Sequence, residues 1–477
     1  MFNLTANRLG WMVSILLFVL ILAPLAAVII QVLLPGVFFG DWKLGNLSLL
    51  LEIFKRPLWF KSLENSLVLG IGTTLLATIL GGALATLRSG WSFPTAKLLD
   101  ASVWMLLIMP SFILAQGWVM FASGDGLAKQ IFGMEWVTGF VFQPAGLIVI
   151  MMLSKFPLAY LSVYSAMEWK VDQLGHAARL CGASPFTVWR TVQAPLLLPA
   201  YLAGAALVFM DTVGDFGLPA SIAAVYRFPT LPYSIYSAIY TSPIRFDMAG
   251  ALSFYLVLLI AIAMAIQFWA LRRSRFDFLS GRAVASTPAH AGKWSIWLAA
   301  ANLLFLAIVI GIPLGSNLLM SFTRSGASAW GPDQWTWAHY RNVFTNGGQL
   351  LEGLQHSLMI AGAAAFIGLV VGFGVAYVLS YSQFRYKRAI DVISLVTLAV
   401  PGVVLGIGYI FIWNQPWLER IGLLLYGTPW IIVLASVAGA IPIITRMLVG
   451  ALAKIPGSFM NAAQSKVVPL PVTYGSS

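Results

Sequence analysis

The stretch Gly175–Pro195, GHAARLCGASPFTVWRTVQAP, is a polar and basic island in an otherwise greasy chain. It reads as helix, break, helix. His176 to Leu180 has helix-forming composition, and Gly182 interrupts it. Ser184 offers an N-cap oxygen, and Pro185 stands at a first helical position, where the N–H it lacks would have no helical partner anyway. Pro195 is expected to end the second piece. A short helix from Pro185 to about Thr191 would present Phe186 and Trp189 beside Arg190, a plug suited to a groove on another protein. The plain alternative is an ordinary amphipathic loop between two membrane spans.

The surroundings of that loop set the class. The chain has 477 residues, 60% hydrophobic and 9% charged, with mean hydropathy +0.87. Soluble domains carry about 25% charged residues, so this chain cannot cover a water-facing surface. Its apolar runs are long and continuous, without ten-residue alternation, which indicates helices rather than a barrel. The expected fold is therefore an all-α polytopic membrane protein. The net charge of +12 does not point to nucleic acid, because Lys and Arg gather in the loops placed inside. The single cysteine, Cys181, excludes an internal disulfide.

Outward from the loop, spans are expected near 144–167 before it and 196–222 after it, with Pro195 between. Others are expected near 11–34, 62–87, 98–122, 248–271, 294–321, 354–380, 389–413 and 429–452. Arg8 followed by the 11–34 run is too long for a signal-peptide core and reads as a retained first span. The stretch 276–293, after Arg272, Arg273 and Arg275, has the composition of a cytoplasmic linker.

The two sides of that linker repeat each other. At an offset of 291, Leu63 falls on Leu354, Ser66 on Ser357, Gly81 on Gly372 and Ala85 on Ala376. Ser89 falls on Ser380, Phe93 on Phe384, Asp100 on Asp391 and Pro110 on Pro401. At an offset of 285, Pro157 meets Pro442, and Ala177-Ala178 meets Ala462-Ala463. Chance explains scattered Leu and Ala matches among greasy helices, but it explains aligned Pro, Asp and loop residues poorly. The matched spans are an even number apart, so both copies cross in the same sense, as a parallel repeat.

The loop's spacing resembles the signature loop of ABC importer permeases: Glu-Ala-Ala, three residues, Gly, nine residues, then Ile-x-Leu-Pro. Ala177, Ala178, Gly182, Val192 and Pro195 fall on it, while His176 stands for the Glu and Ala194 for the Leu. With the repeat, the chain resembles the fused two-in-one permeases of bacterial ferric-iron importers, whose relatives carry thiamine, polyamines or phosphonates. Residues 211–219, DTVGDFGLP, and the later Ser234-Ile235-Tyr236 resemble segments of the ferric branch.

The resemblance implies a multi-pass protein of the bacterial inner membrane, built as a parallel duplicated bundle of the type I importer kind. Its first half would be 1–275, with a complete coupling loop at about 168–195, and its second half 294–465. The tail 466–477 does not match, and Val467 stands where a Gly is expected. The expectation is about ten spans against twelve, with the reading frame truncated or shifted near Ser465. The coupling residues implied are His176, Ala177, Ala178, Gly182, Ser184, Pro185, Phe186, Trp189 and Pro195, with Asn461, Ala462 and Ala463 in the second copy. Implied partners are a cytoplasmic ABC ATPase dimer, a periplasmic or lipid-anchored substrate-binding protein, and membrane lipid. No Gly-x-x-x-x-Gly-Lys-Ser/Thr stretch occurs, so no cofactor is expected on this chain, and ATP belongs on the partner. No nucleophile–base pairing is legible either, and the chain is not expected to be an enzyme.

Asp211 and Asp215 lie one helical turn apart and can face the same side. Carboxylates within a span usually face a bundle interior or a water-filled cavity. They read either as lining a translocation path, where hard oxygens suit a ferric ion, or as fixing a broken helix end near Gly214 and Gly217. Lys155, also within a span, either snorkels or pairs with an acid. His176 has no second metal ligand at a useful spacing and reads as loop surface. Two other classes stay open: a secondary transporter, which would carry functional charges in several spans, and a non-transporting membrane scaffold.

Overall fold

A computed structural model describes residues 2–39, 48–167, 171–223, 228–273, 288–324 and 335–454. Among them, eight helices are long and apolar enough to cross a membrane, or up to ten when two bent pairs count as one span each. The unbroken helices include Asn7–Leu33, Pro57–Gly90, Pro144–Met167, Phe246–Trp269, Gly292–Ser321, Gly348–Tyr381 and Pro429–Leu452. The chain is an all-α multi-pass membrane protein, and the described strands are the two-residue pair Trp91–Ser92 and Ala289–His290.

Three expected spans take a different form. The third is Ala96–Ile108 followed by Ser111–Ala122, bent by 106°, and the ninth is Lys387–Thr397 followed by Gly402–Trp413, bent by 109°. Both breaks fall at the repeated prolines. A proline pushes the residue before it out of the helical region, and Met109 (ψ 127°) and Val400 (ψ 121°) are both extended. The fifth does not run unbroken to Ile222: its helix stops at Gly214, Asp215 is extended, and a separate helix follows at Gly217–Ala223.

By packing, the chain divides into Met1–Ala27 with Glu352–Ser477, and Val28–Leu351. This is a spatial division, where the repeat is one of sequence. In the second unit, Pro57–Gly90, Pro144–Met167 and Ala194–Gly214 form the core. Gly81 lets the first two approach: a Cβ there would lie 2.6 Å from the Phe156 carbonyl oxygen and 2.8 Å from the Tyr160 nitrogen. The Gly292–Ser321 helix packs on the bent third span. Asn302 Nδ2 donates to the Thr95 carbonyl (3.0 Å), Phe305 meets Phe156 edge to face, and Gly117 seats the backbone of Pro313.

The first unit repeats the scheme with other residues. Its leading helix packs on the bent ninth span, where Gly408 seats the backbone of Pro24 and the Tyr409 hydroxyl donates to the Leu20 carbonyl at 2.8 Å. Gly117 and Gly408 are 291 apart, and Pro24 and Pro313 are 289 apart. Each proline follows a five-residue π-turn, Phe18–Leu22 and Ala307–Gly311. A wider turn makes room for a ring that would press on the carbonyl four residues back. So the leading helix of each sequence copy packs against the bent span of the other copy.

Candidate functional site

The 171–195 loop has the predicted helix, break, helix form. Val171–Leu180 is the first helix, carrying His176, Ala177 and Ala178. It ends because Gly182 takes φ +84°, the left-handed region that favours glycine. The Cys181 N–H then reaches the Ala177 carbonyl, the Gly182 N–H that of Arg179, and the Ala183 N–H that of Ala178. Ser184 Oγ accepts the Thr187 N–H at 3.2 Å, the N-cap role, with Pro185 at the first helical position.

Pro195 does not end the second piece. The helix runs on from Phe186 to Gly214. Trp189–Gln193 forms a π-turn, closed by the Ala194 N–H on the Trp189 carbonyl, and this widening lets the helix pass Pro195. The loop and the fifth span are thus one rod. Near its start Phe186 (67% exposed) and Trp189 (53%) stack with ring centroids 6.1 Å apart, and Leu180 is 91% exposed. Val188 is fully buried, and Gly175 lets Val188 and Gln193 approach the first helix. Ala177, Gly182, Ser184, Pro195 and free Cys181 are exposed, and Ala178 is half-buried. Asn461, Ala462 and Ala463, like the 466–477 tail, lie outside the described residues.

The three intramembrane charges come together. Lys155 Nζ lies 2.6 Å from Asp211 Oδ2 and 2.8 Å from Asp215 Oδ2. Lys155 and Asp215 are buried, while half of the Asp211 side chain is open. Asp215 Oδ1 accepts from the Ser111 hydroxyl (2.9 Å) and from the Leu218 N–H (3.2 Å). One carboxylate therefore receives the cation of the fourth span, caps the Gly217–Ala223 helix, and holds the residue that follows the break in the third. Gly217 makes the fit possible, since a Cβ there would lie 2.7 Å from Ser111 Oγ. Burying these charges is tolerable because each is paired. The pairing also occupies the oxygens that a cation would use, leaving the open side of Asp211. No group of three or more His, Cys, Asp or Glu that could hold a metal ion occurs among the described residues.

Sequence reasoning placed all three charges but missed Ser111. The signal was Pro110, whose repeat at Pro401 marked a shared break, with Ser111 as the next residue. A second missed feature is the pinning of the third and ninth spans. Asp100 accepts Arg88 through Nε and Nη2 (3.0 and 2.8 Å to Oδ2) and the Tyr160 hydroxyl (3.0 Å), and Asp391 pairs with Arg446 at 2.6 Å. The repeat aligned the two aspartates but not their arginines, which stand at unrelated positions.

Residues 75–276, which contain the loop and all three charges, match the family described as binding-protein-dependent transport system inner membrane component. The chain is 23% identical over 470 residues to the ferric transport system permease protein FbpB of Actinobacillus pleuropneumoniae, covering 95% of this chain and 64% of that protein. It is 23% identical over 466 residues to the putative ferric transport system permease protein FbpB 1 of Haemophilus influenzae, covering 95% and 70%. Over 189 residues it is 29% identical to the molybdenum transport system permease protein ModB of Escherichia coli, covering 39% of this chain and 81% of that one. The chain thus spans about two thirds of the length of the two ferric relatives.

Proposed function

We propose, from the premise that residues 75–276 belong to the binding-protein-dependent transport system inner membrane components, that this chain is the permease of an ATP-driven importer in the bacterial inner membrane. The observation that carries this reading is the loop: a glycine-broken and serine-capped turn that offers two stacked rings at the foot of a helix entering the membrane. Such a knob suits a groove on a cytoplasmic ATPase dimer. This chain holds no phosphate-cradling motif, so ATP and its hydrolysis belong to that partner, and the chain itself is no enzyme. A binding protein on the outer face would deliver the cargo.

The cargo we propose is ferric ion, supported by two ferric permeases that align with 95% of the chain. Asp211, the half-open carboxylate, is the path residue we propose to meet it, with Lys155 and Asp215 behind it. One such carboxylate is a poor ion selector, which leaves selection to the binding protein. Transport then needs two arrangements of the bundle that the ATP-driven partner favours unequally, since binding both alike would shift nothing.

Phe186→Asp tests the reading by placing a charge in an apolar groove. We expect affinity for an ABC ATPase that co-purifies with the wild-type chain to fall about 30-fold or more, the scale of a buried aromatic anchor. Unchanged co-purification would count against the docking role. Transport that continues without an ATPase and collapses with the proton gradient would favour a secondary transporter.

A further inference from the structure

The fourth and fifth spans are the two arms that rise from the loop. They are joined along their length: Ser162 Oγ donates to the Ala200 carbonyl at 2.8 Å, and Gly204 lets the second arm lie against Ala159. Farther along, Lys155 meets Asp211 and Asp215. Lys155 is twelve residues from the end of its helix at Met167, about 18 Å along the axis. The loop closes the arms at one end and the charged cluster closes them at the other, so they form a closed frame. The frame has an outlet. Asp215 accepts hydrogen bonds from Ser111, the first residue beyond the bend in the third span, and from Leu218 in the helix after the break.

We propose that Lys155, Asp215 and Ser111 are positioning residues that carry movement of the loop to the two broken spans, so that ATP use and cargo movement stay in step. This rests on the reading of the chain as an importer permease. A chain of packed contacts transmits only if its parts have two discrete arrangements that both ends bias. The proposal places those two arrangements at the bend of the third span and the broken end of the fifth, to both of which Asp215 is bonded. The repeat places Ala440 at the position of Lys155 (offset 285). The proposed linkage therefore belongs to the first copy, and the two halves would not contribute equally to coupling.

The test uses this chain with an ATPase and a binding protein that co-purify with it, reconstituted in proteoliposomes, and reads radiolabelled ferric ion moved per ATP hydrolysed. Removing Lys155 alone would strand the buried Asp215 carboxylate, so the main variant is Lys155→Met with Asp215→Asn, which leaves Asp211, the residue proposed to meet the ion, unchanged. We expect ATP hydrolysis to persist while ferric ion moved per ATP falls about tenfold, within the usual span of coupling free energies. Ser111→Ala removes only the last bond and should lower the ratio about threefold, the scale of one hydrogen bond. A ratio within twofold of wild type in an assembled double variant overturns the proposal. Should that variant not assemble, an unchanged ratio in Ser111→Ala overturns it instead. A wild-type chain that recruits no ATPase removes the importer reading and this proposal together, whereas recruitment with an insensitive ratio removes this proposal alone.

Discussion

Gly81 and Gly372 are the same residue of the repeat, and their surroundings predict different tolerance to one added methyl. In Gly81→Ala the new Cβ would lie 2.6 Å from the Phe156 oxygen, 2.8 Å from the Tyr160 nitrogen and 3.0 Å from the Ala159 Cβ. None of these atoms moves by a side-chain rotation. Ordinary contact begins near 3.4 Å, so the helices must part by 3.4 minus 2.6, or 0.8 Å. A gap of this size forfeits a quarter to a half of each atom pair's attraction of ~0.15 kcal/mol, so on the order of 40 pairs lose about 2 kcal/mol. The better helix propensity of alanine returns up to about 1 kcal/mol, leaving a net loss of about 1–2 kcal/mol.

In Gly372→Ala the nearest atoms are Ile444 Cγ2 at 2.5 Å and Cβ at 3.1 Å, with backbone no nearer than 3.8 Å. A turned isoleucine side chain moves Cγ2 at a cost of about 0.5–1.5 kcal/mol. Cβ asks the helices to part by only 3.4 minus 3.1, or 0.3 Å. The helix propensity offsets most of this, so the net is close to zero. Thermal denaturation of the two purified variants in one detergent should show a midpoint about 2–4 °C lower for Gly81→Ala and little change for Gly372→Ala. An equal or larger fall in Gly372→Ala would refute the reasoning, because it would mean that backbone proximity does not set the penalty.

Two further substitutions probe the pins. Asp100→Asn leaves Arg88 (15% exposed) without its carboxylate and weakens the Tyr160 bond, so it should lose about 1–3 kcal/mol. Asp391→Asn breaks a pair open on both sides (42% each) and should lose no more than about 1 kcal/mol. Thermostability of the two variants side by side checks the order. Tyr409→Phe removes the bond to the Leu20 carbonyl inside the π-turn, at about 1 kcal/mol, and should expose the leading helix to faster proteolysis at an unchanged helix content.

The sequence alone determined the elements whose cause is local. Long apolar runs set the spans, with Pro144–Met167 and Pro429–Leu452 matching residue for residue, because burial of backbone in lipid leaves a helix little alternative. The loop was legible because Gly182 and Ser184 act on their own neighbours. The prolines at 110, 195 and 401 were legible as signals but not in their effect. A proline bends one helix and is absorbed by a π-turn in another, depending on what surrounds it. Only the tertiary structure decided which spans are neighbours. Apolar helices are alike to any apolar partner, so hydropathy does not say that the leading helix of each copy packs against the bent span of the other copy. Only the tertiary structure likewise joined Lys155 to Asp211 and Asp215 and brought in Ser111. These residues lie up to 104 positions apart, and what unites them is the need to pair the buried charges of Lys155 and Asp215, which little water reaches.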